Sequence, residues 1–281
     1  MASHEFTSVR SPRIKGVRRL AKRTFRQRER RFLAEGPQAV REALAAVNGG
    51  GGPPYGGSGQ GVVEVYATAE AMQRHIDLMD AAHTAGVPTH RVSLDVMSEL
   101  AQTITPQGVL AVCEFVDVPL EKVTDVRLAV VLSHVRDPGN AGTVLRTADA
   151  AGADVVIFTD ASVDPYNGKC VRASAGSLFH LPVVVGVPVA GAIDFLNQAG
   201  AKVWAADGGG DKDLHQVADD GDLDGPVGWV FGNEAWGLPE ETVRLTDGAV
   251  SVPIYGGAES LNLATAAAVC LYTTARQQRR S

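Results

Sequence analysis

Residues 127–159 read RLAVVLSHVRDPGNAGTVLRTADAAGADVVIFT. Two almost continuous apolar runs, RLAVVLS (127–133) and DVVIFT (154–159), have the length and Val/Ile content of strands. Between them Asp137-Pro138-Gly139 reads as a turn, and Asn140 is placed to cap a following helix. On that helix Val144, Ala148 and Ala151 mark one apolar face, while Arg146 lies on another. A lone Arg on a helix is ordinarily a solvated residue. Within two turns of a loop that leaves a strand, it becomes a candidate for function. Strands that are apolar on both faces and separated by helices imply a mostly parallel sheet covered on both sides.

Working outward, the alternation continues. Further apolar runs at 182–188, 202–206, 228–232 and 249–254 are separated by helical segments, and a last helix spans about 260–278. Its closing cations, Arg276, Arg279 and Arg280, suit a helix C-terminus. Two more segments place Gly, Asn or a charge directly after a strand, where ligands bind in parallel sheets. In VFGNEAWGLPEE (230–241), Gly232 permits close backbone approach. Glu234 there can accept hydrogen bonds from a ligand, or serve as a carboxylate at a helix N-terminus. In SVPIYGGAESLNLATAAAVCLY (251–272), Pro253 ends a strand, Gly256-Gly257 bend the chain, and Ser260 or Asn262 opens the last helix. Three such loops in one sheet bring Asn140, Arg146, Glu234, Ser260 and Asn262 toward one site. No G-x-S-x-G, H-E-x-x-H or P-loop occurs, and DPGNAG does not supply the glycine fingerprint of a Rossmann enzyme.

Upstream lies a smaller α/β region. RRFLAEGPQAVREALAAV (30–47) reads as strand, turn and helix, with Pro37 in the first helical turn. VVEVYA (62–67), a helix around 69–85, PTHRVS, a helix from Asp95 and GVLAVCEFV (108–116) complete it. Residues 49–61, GGGGPPYGGSGQG, read as a connector, and 117–126 as an interdomain linker. The expected organisation is a basic helical arm (1–31), a small domain (32–116), a linker (117–126) and a larger domain (127–281).

The formal charge of −6 hides an asymmetry. Residues 10–31 hold eleven Lys or Arg against Glu29, a balance of +10, and the remainder carries −16. Ile14, Val17, Leu20 and Ala21 recur there at helical spacing. Such a run is either a solvated arm or a phosphate-binding surface, in which Arg13, Lys15, Arg18, Arg19, Lys22 and Arg23 would meet nucleic acid. Cys113, Cys170 and Cys270 are too widely spaced for a zinc cluster or disulfide framework, and the seven histidines show no metal spacing. No stretch reaches the roughly 18 apolar residues of a membrane span, and MASHEFTSVR has no apolar signal core. A cytoplasmic protein without membrane or metal partners is expected.

In this order, the three loop segments resemble the three motifs of the SpoU (TrmH) family of RNA ribose 2′-O-methyltransferases, of the SPOUT class. N-x-G-x-x-x-R stands as Asn140 to Arg146, G-N-E-x-x-G-L as Gly232 to Leu238, and P-x-x-G…S-L-N as Pro253 to Asn262. FLAEGPQAVREAL and TPQGVLAV are similar, more loosely, to the ribosomal-protein-L30-like substrate domain often fused to this catalytic domain. The resemblance implies an α/β domain tied in a deep trefoil knot, a feature general topological rules would not suggest. It implies a homodimer through the C-terminal domain, and S-adenosylmethionine bound by Gly232, Asn233, Gly237, Leu238, Val252, Ile254, Leu261 and Ala267. It implies Arg146 as catalytic base or, because arginine resists deprotonation, as stabiliser of the emerging alkoxide. Asn140, Glu234, Ser260 and Asn262 would orient Arg146, the ribose and the loop. The implied substrate is ribosomal RNA, 23S in preference, reached at an unstacked nucleotide. Transfer RNA, or RNA binding without catalysis, are the alternatives.

Overall fold

The structure, a computed structural model, describes residues 5–48 and 61–280. The connector expected at 49–61 therefore falls almost wholly outside the described residues. The contacts divide the chain into two compact units: residues 1–116 with 166–180, and residues 117–165 with 181–281.

The first unit contains α1 (Pro12–Arg19), α2 (Arg23–Glu29), β1 (Arg31–Glu35), α3 (Pro37–Asn48), β2 (Val62–Thr68), α4 (Ala69–Arg74), α5 (Ile76–Thr84), β3 (Thr89–Val92), α6 (Leu94–Leu100) and β4 (Val109–Glu114). Its sheet runs β1-β4-β2-β3, antiparallel except for the parallel β2/β3 pair. Side-chain caps start the short helices: the Thr68 hydroxyl accepts from Ala71 N–H at 3.2 Å, and Ser93 Oγ from Val96 N–H at 3.3 Å. The helix expected over 69–85 breaks at His75, whose φ of −120° and ψ of 52° cannot continue it.

The basic run is not an arm. Ile14, Val17 and Leu20 are buried with Leu33, Tyr66, Val96, Leu100 and Leu110 in the core of this unit. Each such burial contributes about 1.5–3 kcal/mol, which holds the cationic helix to the sheet. Arg26 is buried as well. Its Nη1 donates to the carbonyls of Leu20 and Ala21 at 3.0 and 2.8 Å, closing the C-terminal end of α1.

Tyr166–His180, expected within the larger domain, packs in the first unit and carries α8 (Gly168–Ala173). Aromatic contact and one carboxylate explain the departure. The Tyr166 ring stacks on Phe115 at 3.8 Å, and its hydroxyl accepts from Val116 N–H at 2.9 Å. Phe179 stacks on Phe32 at 6.0 Å. The buried Glu35 accepts from Gln102 N–H at 2.9 Å, from Arg172 Nη1 at 3.2 Å and from the Thr103 hydroxyl.

The second unit begins inside the expected linker: Val118, Val123 and Val126 are buried, and Val118 N–H donates to Val183 O at 2.9 Å. It holds β5 (Leu128–Leu132), α7 (Pro138–Ala151), β6 (Val155–Thr159), β7 (Val183–Val187), α9 (Val189–Gln198), β8 (Lys202–Ala206), β9 (Lys212–Asp213), α10 (Leu214–Asp219), β10 (Val227–Phe231), α11 (Glu240–Val243), β11 (Gly248–Ser251) and α12 (Leu263–Gln278). The sheet is parallel throughout, in the order β7-β6-β5-β10-β8-β11-β9. The six apolar runs became its strands, and only the two-residue β9 went unread. The order reverses after β5, and β10 enters between β5 and β8, with Phe231 opposite both Leu132 and Ala206.

Helix α12 packs on α7 and on β10. In that layer the buried Trp229 Nε1 donates to the buried Thr274 hydroxyl at 2.9 Å. Arg279 was expected to serve its own helix end. Instead its Nη2 donates to the Ala151 carbonyl at 3.3 Å, at the C-terminus of α7. Among the described residues, no helix is long and apolar enough to cross a membrane.

Candidate functional site

Parallel strands place their carboxyl ends on one edge of the sheet, so the loops leaving β5, β8, β10 and β11 gather there. The loop after β5 enters α7 through Asp137, whose Oδ1 accepts from Asn140 N–H at 2.8 Å. Asp137, not Asn140, is therefore the cap, because Pro138 occupies the first helical position and sets the frame. This correction frees the Asn140 side chain, and Asn140 joins the other two loops. Its Nδ2 donates to Glu234 Oε1 at 3.2 Å, and its Oδ1 accepts from Asn262 Nδ2 at 3.1 Å. Asn262 in turn caps α12, its Oδ1 accepting from Ala264 and Thr265 N–H at 2.9 and 3.4 Å. Glu234 also accepts from Arg136 and Asp137 N–H at 3.3 and 3.1 Å. The carboxylate thus fixes the β5 loop from the β10 loop.

The β10 loop is tightly closed. Asn233 N–H donates to Gly237 O at 2.8 Å, and Gly237 N–H to Asn233 O at 2.9 Å. Asn233 Nδ2 donates to His134 O at 2.9 Å, and Asn233 Oδ1 accepts from Ala235 N–H at 2.9 Å. A Cβ on Gly232 would lie 2.4 Å from the Gly237 backbone, so no side chain fits there. Gly237 itself has a φ of +73°. His134, also left-handed at φ 59°, bonds Ser133 Oγ through Nδ1 at 2.9 Å and meets Trp236 edge-on, with ring centroids 5.3 Å apart.

The β11 loop is open. Among the described residues, the backbone of Ile254 to Leu261 forms no hydrogen bond outside itself. Ile254 and Leu261 are 37% and 36% exposed, Val252 is half-buried, and Leu238 is buried nearby in sequence to Gly237. Free backbone donors and acceptors beside partly exposed aliphatic chains match an adenosine carrying a sulfonium arm that ends in an amino acid. S-adenosylmethionine fits this lining.

The expected residues divide accordingly. Asn140, Glu234 and Asn262 are brought into direct contact, and Asn233 and Gly237 close the adjoining loop. The side chains of Arg146 and Ser260 are exposed and make no hydrogen bond among the described residues. Ala267 is fully buried within α12 and presents no surface to a ligand. In the first unit, Arg13 is engaged internally. Its Nε and Nη2 donate to Glu64 Oε2 at 3.1 and 2.5 Å, and its Nε also to Tyr66 OH at 3.1 Å. Arg18 pairs with Glu99 at 2.7 Å on the surface. Lys15, Arg19, Lys22 and Arg23 are exposed, with Arg19 lying over the Phe25 ring at 5.5 Å.

One loop was missed. Asp207-Gly208-Gly209-Gly210 leaves β8, with Asp207 Oδ1 accepting from Gly209 N–H at 2.8 Å and its carboxylate against Gly237. Asp and Gly directly after a strand was the signal that identified the other loops, and it was present here too.

Comparison with known proteins gives consistent matches. Residues 127–272 match the SpoU rRNA Methylase family. Residues 33–119 match the RNA 2′-O ribose methyltransferase substrate binding domain, and 11–48 the MRM3-like substrate binding domain. A relative from Bacillus subtilis (strain 168), the 23S rRNA (guanosine(2553)-2′-O)-methyltransferase RlmP, is 32% identical over 95% of this chain and 98% of its own. The 23S rRNA (uridine(2479)-2′-O)-methyltransferase of Streptomyces viridochromogenes is 36% identical over 68% of this chain and 69% of its own. The crystal structure of an AdoMet-bound rRNA methyltransferase from Sinorhizobium meliloti superposes with a TM-score of 0.81 at 30% identity, covering 97% of each chain.

Proposed function

The chain belongs to the SpoU rRNA methylase family, and from that membership we propose that it methylates a ribose 2′-hydroxyl of ribosomal RNA, in the 23S molecule, using S-adenosylmethionine. The observation that carries this reading is the Glu234–Asn140–Asn262 link, which ties three strand-end loops into one site. The two relatives described above are named for 23S rRNA at different nucleotides, which supports the RNA class.

When bound, S-adenosylmethionine supplies a methyl group activated by a sulfonium. Gly232, Asn233, Gly237 and Leu238, with Val252, Ile254 and Leu261, hold it in our assignment, and the buried Ala267 supports α12 behind them. The chain's own task is to place a 2′-oxygen in line with that methyl and to favour loss of its proton. Arg146, exposed and uncommitted, supplies a fixed positive charge to the developing oxyanion and the neighbouring phosphate. Glu234, Asn140 and Asn262 hold the loops that frame it, and Ser260 is placed to meet the ribose. Lys15, Arg19, Lys22 and Arg23 neutralise phosphates without reading sequence, aided by Arg13 and Arg18 where RNA displaces their carboxylate partners.

The C-terminal segment forms the trefoil knot of its class, and two copies pair through the second unit. Tyr272, 53% exposed on α12, supports that pairing. A cytoplasmic location follows from a ribosomal substrate.

The test incubates the full chain with tritium-methyl S-adenosylmethionine and protein-free 23S, 16S and transfer RNA from cells lacking the gene. Label should enter 23S RNA and survive alkaline hydrolysis at one nucleotide linkage. Label confined to transfer RNA would overturn the substrate, and label on a base would overturn the reaction.

A further inference from the structure

Of the three tryptophans, Trp204 and Trp229 are 2% and 0% exposed, whereas Trp236 is 54% exposed. An exposed Trp forfeits most of the burial its ring can contribute, so its placement needs another reason. The surroundings supply one. Trp236 sits in the five-residue loop closed by the paired Asn233/Gly237 backbone bonds, and the Asn233 side chain fixes Ala235 N–H beside it. Its ring is met edge-on by His134, at an interplanar angle of 65°. That contact braces the indole, and its exposure leaves ring surface open to solvent. His134 is itself held in a left-handed backbone conformation unusual for a residue with a side chain, and its ring is fixed by Ser133. Such strain persists where the surroundings over-determine it, and it collects at functional sites. Glu234, two residues before Trp236, touches Asn140. The braced indole is therefore built into the loop that carries the site.

We propose that Trp236 stacks on the base of the nucleotide presented for methylation. A ribose is methylated only once its nucleotide is unstacked from its neighbours, and an open aromatic face replaces the lost stacking. Every base has a π-face, so the contact tolerates any base and holds the sugar rather than selecting the sequence. Exposed, uncommitted cations at Arg136 and Arg146, on the adjoining loop and helix, provide for the phosphates on either side. This inference rests on the methyl-transfer reading above.

The experiment uses Trp236→Ala and Trp236→Phe in the full chain with protein-free 23S RNA. Stacking on one base is worth roughly 5- to 100-fold in RNA affinity. Trp236→Ala should raise the KM for RNA by that order, while kcat at saturating RNA, cofactor affinity by calorimetry and sedimentation stay as in wild type. Trp236→Phe should recover most of the loss. In the wild-type protein, RNA should shield tryptophan emission from acrylamide, since only Trp236 is accessible to it. An unchanged KM, unchanged quenching, or a Trp236→Ala effect confined to cofactor affinity or sedimentation would overturn the proposal. Shielding by RNA without any methyl transfer would instead leave stacking in place and defeat the proposed reaction.

Discussion

Arg146 is the residue on which the proposed chemistry turns. Replacing it by alanine should lower kcat at least about a hundredfold, as loss of a transition-state charge contact does, with cofactor affinity unchanged by calorimetry. Lost cofactor binding would move Arg146 from the reaction to the pocket. A second prediction concerns His90 in the first unit. Its Nε2 lies 3.3 Å from Glu64 Oε2 yet is buried without a hydrogen bond. Burial, helped by the nearby Arg13, holds its pKa below the ordinary 6.5, while Glu64 opposes the shift. The unfolded chain therefore takes up the proton first. The contribution of His90 is complete above 6.5 and is lost as pH falls through the folded value. Thermal melting between about pH 7.5 and 5.5 should show this decline, and His90→Asn should flatten it. Much of the site was legible at this scale because Gly, Asn and acidic residues after apolar strands carry their own signal. Asn140 was misread as a cap since Asp and Asn cap equally well. Pro138, one residue past the true cap, held the answer. Trp236 carried no signal, because exposure is not written in local sequence.

The element whose behaviour departs most from its composition is the α1–α2 pair. Eleven cations in 22 residues leave a solvated arm and a phosphate-binding surface both open, and Ile14, Val17 and Leu20 carry the segment into a core, where Arg26 seals the join. Arg26→Met should cost about 1.5–3 kcal/mol, because two charge-assisted bonds vanish and two helix-end carbonyls lose their donor. A lower urea midpoint in the full chain would register the loss, and no shift would show that water replaces the guanidinium. The apolar stripe was visible as a helical period, but a period cannot say what the stripe rests against. Strand boundaries fell within three residues of expectation for the same reason in reverse: an apolar run ends where its burial ends. The break at His75 lay inside an uninterrupted helical pattern and was set by backbone angles.

For the molecule as a whole, the net charge of −6 is the sum of a cationic segment and an acidic remainder, and only the exposed part of the former can meet RNA. Changing Lys15, Arg19, Lys22 and Arg23 together to Gln should reduce the slope of log affinity against log salt by about 3 on single-stranded RNA. An unchanged slope would place the phosphates elsewhere. Deleting residues 1–31 would be a poorer test, since it also removes Ile14, Val17 and Leu20 from the core. The division into units was least legible of all, because it depends on pairings across long stretches of chain. The first unit needs Phe179 against Phe32 and Arg172 against Glu35, while the second sets Val227 beside Leu128. A ribosome making this protein from its N-terminus therefore finishes neither core in the order it is made. The earlier unit waits, open, for residues 166–180, and the middle of the later sheet keeps a gap until β10 emerges about a hundred residues after β5. Both cores close late in translation, and until then exposed apolar faces must be kept apart by chaperones or by the speed of synthesis itself.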